Sequence, residues 1–527
     1  MVNSISDKSF FTRGDAGDIG LEAPGEYPFT RGLFPMINRE APWAVSANCG
    51  FGLPEETNAM QKEFIRECQE KPHLNPLGRP AVAFYLDLPT QLGYDSDNPL
   101  AHYDVGKCGT PINSLEDMEI LLCEIPIDSC HITFITSPTA PIMLAMYLAY
   151  AENQGVAYDS LMGSLCNDAL LGPISDNMIA FEPRATYKLA LEIVDYCMRN
   201  VGHFSPVFFH AYSCREKDAT AVKELAFILS LAIEVVRGGI GLGLNVDDFA
   251  GNLLFFFSLH SNFFEEVAKL RAARRMWARI MKEEFGAKDP RTWMCKVQGQ
   301  TGGSTLTAQE PLNNIARVAI GSLVGALGGV QMMVPPSYLE ALSVPTKHAQ
   351  HIAYQTQHIL QEEIGITEVV DPLGGSYYLE ALTDRIEREA QNYMDIIKKK
   401  GGYIAALEEG YLQEEVDRAS ARFQEKVEKG ERVIVGVNKY VGEECPPVEI
   451  FSYNPDLKQI MAGRLKKLRK RRDSAKVERS LKTLESAARS QEPLIPHLIE
   501  AAKRYATVGE MMDTLREVFG RYVEAGG

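Results

Sequence analysis

The feature that most constrains the fold is an alternation of short apolar runs with amphipathic helical segments between about residues 81 and 402. The apolar runs include AVAFYLDL, HITFITS, PVFFHAY and CKVQGQT. Their length is typical of strands that are covered by helices on one face and packed against side chains on the other. Such alternation favours parallel strands, and it predicts an α/β protein built on a (β/α)8 TIM barrel.

The chain has 527 residues, which suits one barrel with an appendage better than several small domains. We predict an N-terminal arm over residues 1–26, a substrate-binding barrel over residues 27–410 and a helical, charged C-terminal extension over residues 411–527. A basic block, RLKKLRKRRDSAKVER, occupies residues 464–479 of this extension. Two interpretations of the block stay open: a solvated helix face, or a surface that docks onto an acidic patch of a partner subunit.

Composition argues against several classes of protein. The chain carries 54 Lys and Arg against 70 Asp and Glu, a net charge of −16, which disfavours a nucleic-acid surface. Its ten cysteines are scattered without a C-x-x-C pair, as expected of reduced thiols in a cytoplasmic protein. The first 15 residues lack an apolar signal core, and glycines interrupt the longest uncharged apolar run, Val318–Pro335, so we expect neither secretion nor a membrane span.

Five blocks of sequence carry a resemblance to a known family. They are YPFTRGLFPMINREAPWAVSANCGF at residues 27–51, GYDSDNP at 93–99, DVGKCGTPINSLEDM at 104–118, GQTGGSTLTAQEPLNNIAR at 299–317 and DPLGGSYYLEALT at 371–383. Together they resemble the large chain of the adenosylcobalamin-dependent acyl-CoA mutases, from about Asp18 to the C-terminus. The resemblance implies an intramolecular transferase that performs a radical 1,2-rearrangement, in which the barrel encloses and positions the substrate.

The resemblance also implies a partner. In the family, a histidine in a D-x-H-x-x-G loop of a separate flavodoxin-like domain binds the cobalt of cobalamin. None of the ten histidines here lies in that pattern; the nearest, His131, follows Asp128 at the wrong spacing. We therefore expect a small cobalamin-binding subunit to complete the cofactor site in a hetero-oligomer, and we predict no metal site within this chain.

Several positions match the family. Glu216 and Glu340 match glutamates near the corrin and the adenosyl group, Gln300 matches a glutamine that faces the ring, and Ala341 follows Glu340 as it does in relatives. The resemblance therefore implies that these four residues bind the cofactor. A buried glutamate requires hydrogen bonds, so structural ion pairs remain the alternative for both glutamates.

Other positions depart from the family pattern. The catalytic histidine falls on Ser213, and His210 replaces it only if the register shifts; the active-site tyrosine falls on Asn48. The arginine that pairs with the methylmalonyl carboxylate falls on Thr186 and a neighbouring glutamine falls on Cys166. A buried carboxylate without a cation is unfavourable, so methylmalonyl-CoA is a poor candidate substrate.

The remaining site predictions concern the substrate. Tyr85 matches a position beside the substrate in relatives, with core packing as its alternative role, and Lys296 and Gln298 are candidate substrate contacts. Family positions along the CoA channel that carry threonine or arginine fall on Met36, Ala41, Ala44, Ser46 and Asn252. Arg39, Arg184, Arg215 and Lys296 are the candidate replacements for the phosphate contacts, although each also suits an ordinary ion pair.

Three functions remain open at this point. The first is the large subunit of a carbon-skeleton mutase that acts on an acyl-CoA-type substrate other than methylmalonyl-CoA. The second is a mutase for an acid that is not carried by CoA. The third is a catalytically silent barrel that acts as a scaffold, which the changes at Ser213 and Asn48 favour and the retained Glu216, Gln300 and Glu340 disfavour.

Overall fold

The computed structural model describes residue 14 and residues 22–70, 78–101, 103–442 and 447–522, and it describes residues 47 and 48 by their backbone alone. Most of the predicted N-terminal arm therefore lies outside the described residues. The ten strands within these ranges are β1 (Ala44–Val45), β2 (Ala47–Cys49), β3 (Ala81–Tyr85), β4 (His131–Ile135), β5 (Met162–Leu165), β6 (His203–Ser205), β7 (Phe208–Phe209), β8 (Leu254–Leu259), β9 (Lys296–Thr301) and β10 (Met332–Val334).

The strands form two parallel sheets of five strands each, in the orders β1-β10-β9-β8-β7 and β2-β3-β4-β5-β6. Only Ser46 separates β1 from β2, yet β1 pairs with β10 and β2 pairs with β3. In the same way Pro206 and Val207 separate β6, which pairs with β5, from β7, which pairs with β8. The predicted α/β class with parallel strands is confirmed.

Helices connect and follow these strands. They are α1 (Pro54–Glu70), α2 (Leu88–Gln91), α3 (Leu115–Leu121), α4 (Ala140–Asn153), α5 (Pro183–Asn200), α6 (Tyr212–Glu216), α7 (Ala221–Gly241), α8 (Val246–Phe249), α9 (Phe263–Arg279), α10 (Pro290–Trp293), α11 (Asn313–Gly328), α12 (Lys347–Glu362), α13 (Tyr377–Lys399), α14 (Tyr403–Glu408), α15 (Tyr411–Glu428), α16 (Leu457–Arg471), α17 (Ser474–Ser490), α18 (Ile495–Lys503) and α19 (Val508–Phe519). No helix among the described residues is long and apolar enough to cross a membrane.

Strand β8 shows how the sequence separates two cores. Its side chains alternate between the two faces of the sheet, as the period of a strand requires. Phe255 and Phe257 pack against the surrounding helices, whereas Phe256 points to the opposite face. There it joins an inner cluster from several strands and the residues that follow them: Ile135, Cys166, Phe208, Phe256 and Val334. A run of consecutive apolar residues is therefore buried on both faces.

Buried ion pairs join two of the five sequence blocks. Arg31 of YPFTRG lies 3.1 Å from Asp371 and 3.4 Å from Glu380, both of which belong to DPLGGSYYLEALT. Arg271 on α9 reaches the same two carboxylates at 2.5 and 2.9 Å. An unpaired buried charge is costly, so each of these four side chains needs its oppositely charged neighbours to remain favourable inside the fold.

The C-terminal region is helical, as predicted, and it packs against the part of the fold that is built on the β2–β6 sheet. Helix α18 packs on α4, and Val477, Leu484 and Leu498 join the same buried cluster as Ile132 and Phe134. Several arginines of the basic block contact acidic side chains of this chain: Arg464 pairs with Glu55, Arg469 with Asp95 and Asp97, Arg471 with Glu116, and Arg472 with Glu510. These arginines therefore hold the helical region in place, a role that neither sequence interpretation included.

Candidate functional site

A cavity of about 590 Å³ opens where several strands end. Its lining includes Gly50 after β2, Tyr85 at the end of β3, Gln300 near the end of β9 and Pro335 after β10. The carboxyl ends of parallel strands in α/β folds are where loops gather functional side chains. The cavity therefore lies where this architecture places its active sites.

Glu216 is attached to one wall by a glycine loop that follows β9. Its carboxylate accepts hydrogen bonds from the Ser304 backbone N–H at 2.6 Å and from the Ser304 hydroxyl at 3.3 Å. A Cβ added to Gly302 would lie 3.0 Å from Glu216 Oε1, and one added to Gly303 would lie 3.1 Å from Glu216 Oε2. The two glycines of GQTGGST therefore permit the close approach of this carboxylate to the loop.

Glu340 and Glu216 have similarly perturbed acidities. The Glu340 side chain is accessible from within the cavity, but protein surrounds it and raises its pKa to about 7. Burial likewise raises the pKa of Glu216 to about 7, with a smaller contribution from the charge of Glu340. Near neutral pH both groups can therefore either donate or accept a hydrogen bond, which suits a polar, uncharged ligand.

Gln300 and Ala341 complete this end of the cavity. Gln300 lines the wall from β9, and its buried Oε1 has no hydrogen-bond partner among the described residues. Ala341 follows Glu340 in the lining. Three of the four predicted cofactor-binding residues, Gln300, Glu340 and Ala341, thus line one cavity. Glu216 is not among its lining residues, but it lies close to Glu340, because a Cβ added to Gly303 would lie 3.1 Å from Glu216 Oε2 and 3.6 Å from Glu340 Cγ.

A second cavity of about 170 Å³ adjoins the first, and Tyr85 and His210 line both. Cys166 and Ser213 line the smaller cavity, so three of the predicted catalytic and substrate-binding residues meet there. Among its described lining residues there is no lysine or arginine, whereas Asp168 and Asp176 both contribute carboxyl groups. The cavity is therefore polar without a cation.

Asp168 organises the smaller cavity. Its carboxyl group accepts from the His210 backbone N–H at 2.5 Å, from the Ser137 hydroxyl at 2.9 Å and from the Cys166 thiol at 3.1 Å. Burial raises its pKa to about 6, and these hydrogen bonds oppose the increase. Asp168 and Ser137 were missed by the sequence analysis; their places after β5 and β4, at the predicted carboxyl ends, are the signal that could have identified them.

His210 lies beside Ser213, the position on which the family histidine falls. Its Nδ1 lies 2.8 Å from the Ser213 hydroxyl, and burial lowers the pKa of His210 to about 3. The ring therefore remains neutral at physiological pH. One turn of backbone brings residues 210 and 213 together, and substitution of His210 for the family histidine stays a prediction.

Four predicted site residues lie elsewhere or are only partly described. Thr186 is buried in α5, and its hydroxyl donates to the Phe181 carbonyl at 3.1 Å. Lys296 begins β9 and donates to the Gly251 carbonyl at 2.7 Å, while Gln298 pairs with Phe256 and Met332 in the sheet. These three residues line neither cavity. Asn48 pairs with Ala83, but its side chain lies outside the described part of the structure.

The predicted CoA-channel positions are dispersed. Ser46 lines the larger cavity, Ala44 is buried in β1, and Asn252 uses its backbone carbonyl to accept from Ser205. Met36 is half-buried and Ala41 is exposed. Two of the four candidate cations are committed to ion pairs, Arg184 with Glu408 and Arg215 with Glu266, and Lys296 bonds the carbonyl described above. Arg39 is exposed.

Comparison with known proteins identifies the family. A family model described as methylmalonyl-CoA mutase matches residues 2–521. The chain belongs to the methylmalonyl-CoA mutase family. It is 38% identical over 522 residues to a methylmalonyl-CoA mutase of Rhizobium meliloti, covering 98% of this chain and 72% of that protein. It is 34% identical over 519 residues to the 2-hydroxyisobutanoyl-CoA mutase large subunit of Aquincola tertiaricarbonis, covering 98% of this chain and 91% of that protein.

The human mitochondrial methylmalonyl-CoA mutase is also similar, at 35% identity over 520 residues that cover 98% of this chain and 68% of that protein. Members of the methylmalonyl-CoA mutase family are cobalamin-dependent mutases, which are isomerases that transfer a group within one molecule. The family and the enzyme class predicted from the five sequence blocks are therefore confirmed.

Proposed function

We propose that this chain is the large subunit of an adenosylcobalamin-dependent mutase that rearranges an acyl-CoA-type substrate other than methylmalonyl-CoA. A separate small subunit supplies the cobalamin-binding domain. The observation that carries the proposal is the meeting of Gln300 and Glu340 in the lining of one cavity, with Glu216 held on the glycine loop that also approaches Glu340. The smaller cavity that adjoins it has no lysine or arginine among its described lining residues. This chain covers 91% of a relative that is named a large subunit, which supports the division of the enzyme into two chains.

The proposal includes closure of the two sheets into one eight-stranded barrel. In this arrangement β1 and β2 are the two halves of one strand, as are β6 and β7, and each half pairs with a different neighbour. Following the pairings from β1 through β10, β9, β8 and β7, and then from β6 through β5, β4, β3 and β2, returns to the starting strand. Such closure leaves no exposed sheet edge.

The residues present fit a cobalamin cofactor with its adenosyl group. The unpartnered Gln300 Oε1 requires a donor, and the two carboxyl groups with pKa values of about 7 can serve as donor or acceptor. A ligand rich in amides and hydroxyls satisfies both requirements. Glu216, Gln300, Glu340 and Ala341 would hold this group, and when bound it would supply the carbon radical that takes a hydrogen atom from the substrate.

The chain's own contribution is orientation and exclusion of water. Glu216 is fixed by the Ser304 hydrogen bonds, and Tyr212 accepts from the Gly303 backbone N–H at 2.9 Å. Tyr85 stands between the two cavities, where it separates the cofactor end from the smaller, inner space. Enclosure of this kind protects a reactive intermediate from side reactions.

The charge of the smaller cavity supports a substrate without a free carboxylate at the reacting end. Asp168 and Asp176 line it, and Thr186, at the position of the family arginine, is turned to the Phe181 carbonyl. A substrate carboxylate there would meet like charge and no counter-ion. Uncharged or hydroxylated acyl groups avoid this penalty.

Reconstitution tests the proposed function. The chain is mixed with a small subunit that contains a D-x-H-x-x-G loop, adenosylcobalamin binding is followed by visible absorption, and turnover is measured on a panel of acyl-CoA thioesters and on the corresponding carrier-free acids. We expect cofactor binding that weakens in Glu340→Gln and Gln300→Leu but not in Glu363→Gln, an exposed control outside the cavity. Cofactor binding without turnover of any member of the panel would favour the scaffold, and turnover of a carrier-free acid alone would favour the non-CoA mutase.

A further inference from the structure

An unpartnered polar atom lies at the junction of the two cavities. His210 follows β7 and lines both spaces. Its Nδ1 is hydrogen-bonded to Ser213, but its Nε2 is buried and has no hydrogen-bond partner among the described residues. Buried polar atoms in folded proteins are nearly always paired, so this nitrogen calls for a partner that the described residues do not provide.

The ring cannot turn to find another partner. The His210 ring packs edge-on against Phe256, with centroids 4.6 Å apart and planes at 65°, and against Tyr212 at 5.6 Å and 67°. A third edge-on contact joins the His210 ring to Phe208 at 6.3 Å, and Phe208 and Tyr212 both stack on Phe256. The backbone N–H of His210 is held by Asp168 at 2.5 Å. Backbone and side chain are therefore both fixed, as a preorganised contact requires.

The Ser213 hydroxyl indicates which nitrogen carries the proton. Ser213 Oγ has no hydrogen-bond partner other than His210 Nδ1 among the residues that the structure describes. Donation from the hydroxyl to Nδ1 uses the serine proton, and it leaves the ring proton on Nε2. The reverse arrangement would leave the serine proton without an acceptor among the described residues and direct it into the smaller cavity, which Ser213 lines. Burial keeps the ring neutral, since it lowers the pKa of His210 to about 3.

We propose that His210 contacts the substrate directly, donating a hydrogen bond from Nε2–H to the carbonyl oxygen of the acyl group, and that Ser213 positions it by fixing the tautomer. A neutral donor suits a neutral acceptor in a cavity whose described lining has no cation. The inference rests on the proposed function for the identity of the ligand. It also gives the serine at residue 213, where the family has a histidine, a role of its own: the serine orients an imidazole that lies one turn earlier in the chain.

A ligand pair tests the contact without requiring turnover. The full-length chain is titrated calorimetrically with 2-hydroxyisobutanoyl-CoA and with its thioether analogue, in which a methylene replaces the carbonyl. We expect the thioester to bind about tenfold more tightly than the thioether to the native chain. His210→Asn should reduce the ratio to below about twofold, because its shorter amide cannot reach the Nε2 position.

Matched variants separate this role from a structural one. His210→Gln places an amide N–H near the Nε2 position, so it should restore a ratio of at least about threefold. Ser213→Ala should lower the ratio, because the tautomer is no longer fixed. His203→Gln changes an exposed histidine of β6 and should leave the ratio unchanged. An equal ratio in the native chain and His210→Asn would overturn the proposal, as would a native ratio near one.

Failure of the proposed function gives a different result. If neither CoA ligand binds the native chain, the acyl-CoA assignment fails, and ¹⁵N NMR of the histidine-labelled chain then decides on His210. The signal lost in His210→Gln should show the Nε2–H tautomer and should change in Ser213→Ala. An Nδ1–H tautomer, or a signal that titrates between pH 5 and 8, would overturn the assignment.

Discussion

Lys269 provides the sharpest test of how the site is supported. Its ammonium lies 2.6 Å from Glu224 Oε2, 2.5 Å from Glu266 Oε2 and 2.6 Å from the Ser258 carbonyl, and all three charged side chains are fully buried. Arg215 joins the same network at 3.0 Å from Glu266 and directly precedes Glu216. Removing one partner of a buried ion pair costs about 3–5 kcal/mol, so Lys269→Met should lower the free energy of unfolding by that amount.

The loss should depend on pH. In the native chain burial raises the pKa of Glu266, but Lys269 and Arg215 outweigh burial and lower it to about 2. Without Lys269, the two carboxylates face each other and one should retain a proton, with a folded pKa above the unfolded value of about 4.3. The folded state then binds more protons than the unfolded state, so stability falls as pH rises. The deficit should be smaller at pH 5.5 than at pH 8.

Equilibrium urea unfolding, followed by the fluorescence of the buried Trp43 and Trp277, measures both effects. Adding Glu224→Gln should recover about 1–2 kcal/mol, because one of the opposed charges is removed. Lys482→Met is the control, since its pair with Glu478 is exposed and should contribute less than about 0.5 kcal/mol. A loss below about 1 kcal/mol, or the same loss at both pH values, would refute the reasoning.

The remaining predictions concern ligands and acidity. The isolated chain should bind adenosylcobalamin weakly. Together with the small subunit it should bind the cofactor in the base-off form with a histidine ligand. An absorption spectrum that shows tight, histidine-ligated binding by the chain alone would contradict this prediction. Uncharged or hydroxylated acyl-CoAs should exceed methylmalonyl-CoA in kcat/KM by at least about tenfold, and comparable values would argue against the proposed cavity chemistry. Acyl-CoA should bind about a hundredfold more weakly than in relatives, and micromolar affinity by calorimetry would exclude this. Burial raises the pKa of Glu340 to about 7 in the folded chain, so the folded state keeps this proton at pH values where the unfolded state has lost it. The free energy of unfolding should therefore fall as pH rises towards 7. Glu340→Gln should therefore show a smaller decrease in Tm between pH 6 and 8 than the native chain.

The lining of the predicted CoA channel cannot be read from single sequence positions. The changed channel positions also predict that Phe34, Met36 and neighbouring apolar side chains narrow or reline the channel, and this stays a prediction; Phe34 is 46% exposed and lines neither cavity. The inner cluster contains the aromatic side chains Phe208 and Phe256. In the sequence, Phe208 stands in an FF pair and Phe256 in an FFF run. Composition cannot show which phenylalanine of such a run points inward and which points outward.

The sequence by itself determined the family, the parallel α/β class and the helical C-terminal region. It could do so because strand length, alternation and long motif blocks are local properties that survive without knowledge of contacts. It also named Gln300, Glu340 and Ala341, which line the same cavity, and Glu216, which approaches the same glycine loop as Glu340. The glycine pair at 302 and 303 was visible within a motif, but its close approach to Glu216 was not.

Only the tertiary structure decided what the departures from the family mean. His210 and Ser213 form a pair because the chain turns into α6 soon after β7, and Asp168 reaches His210 because the segment after β5 lies beside the segment after β7. Thr186 turns to the Phe181 carbonyl rather than to the cavity. Hydrogen-bond partners and charge pairs depend on distances between segments that are far apart in sequence, and such distances are set by packing rather than by local pattern.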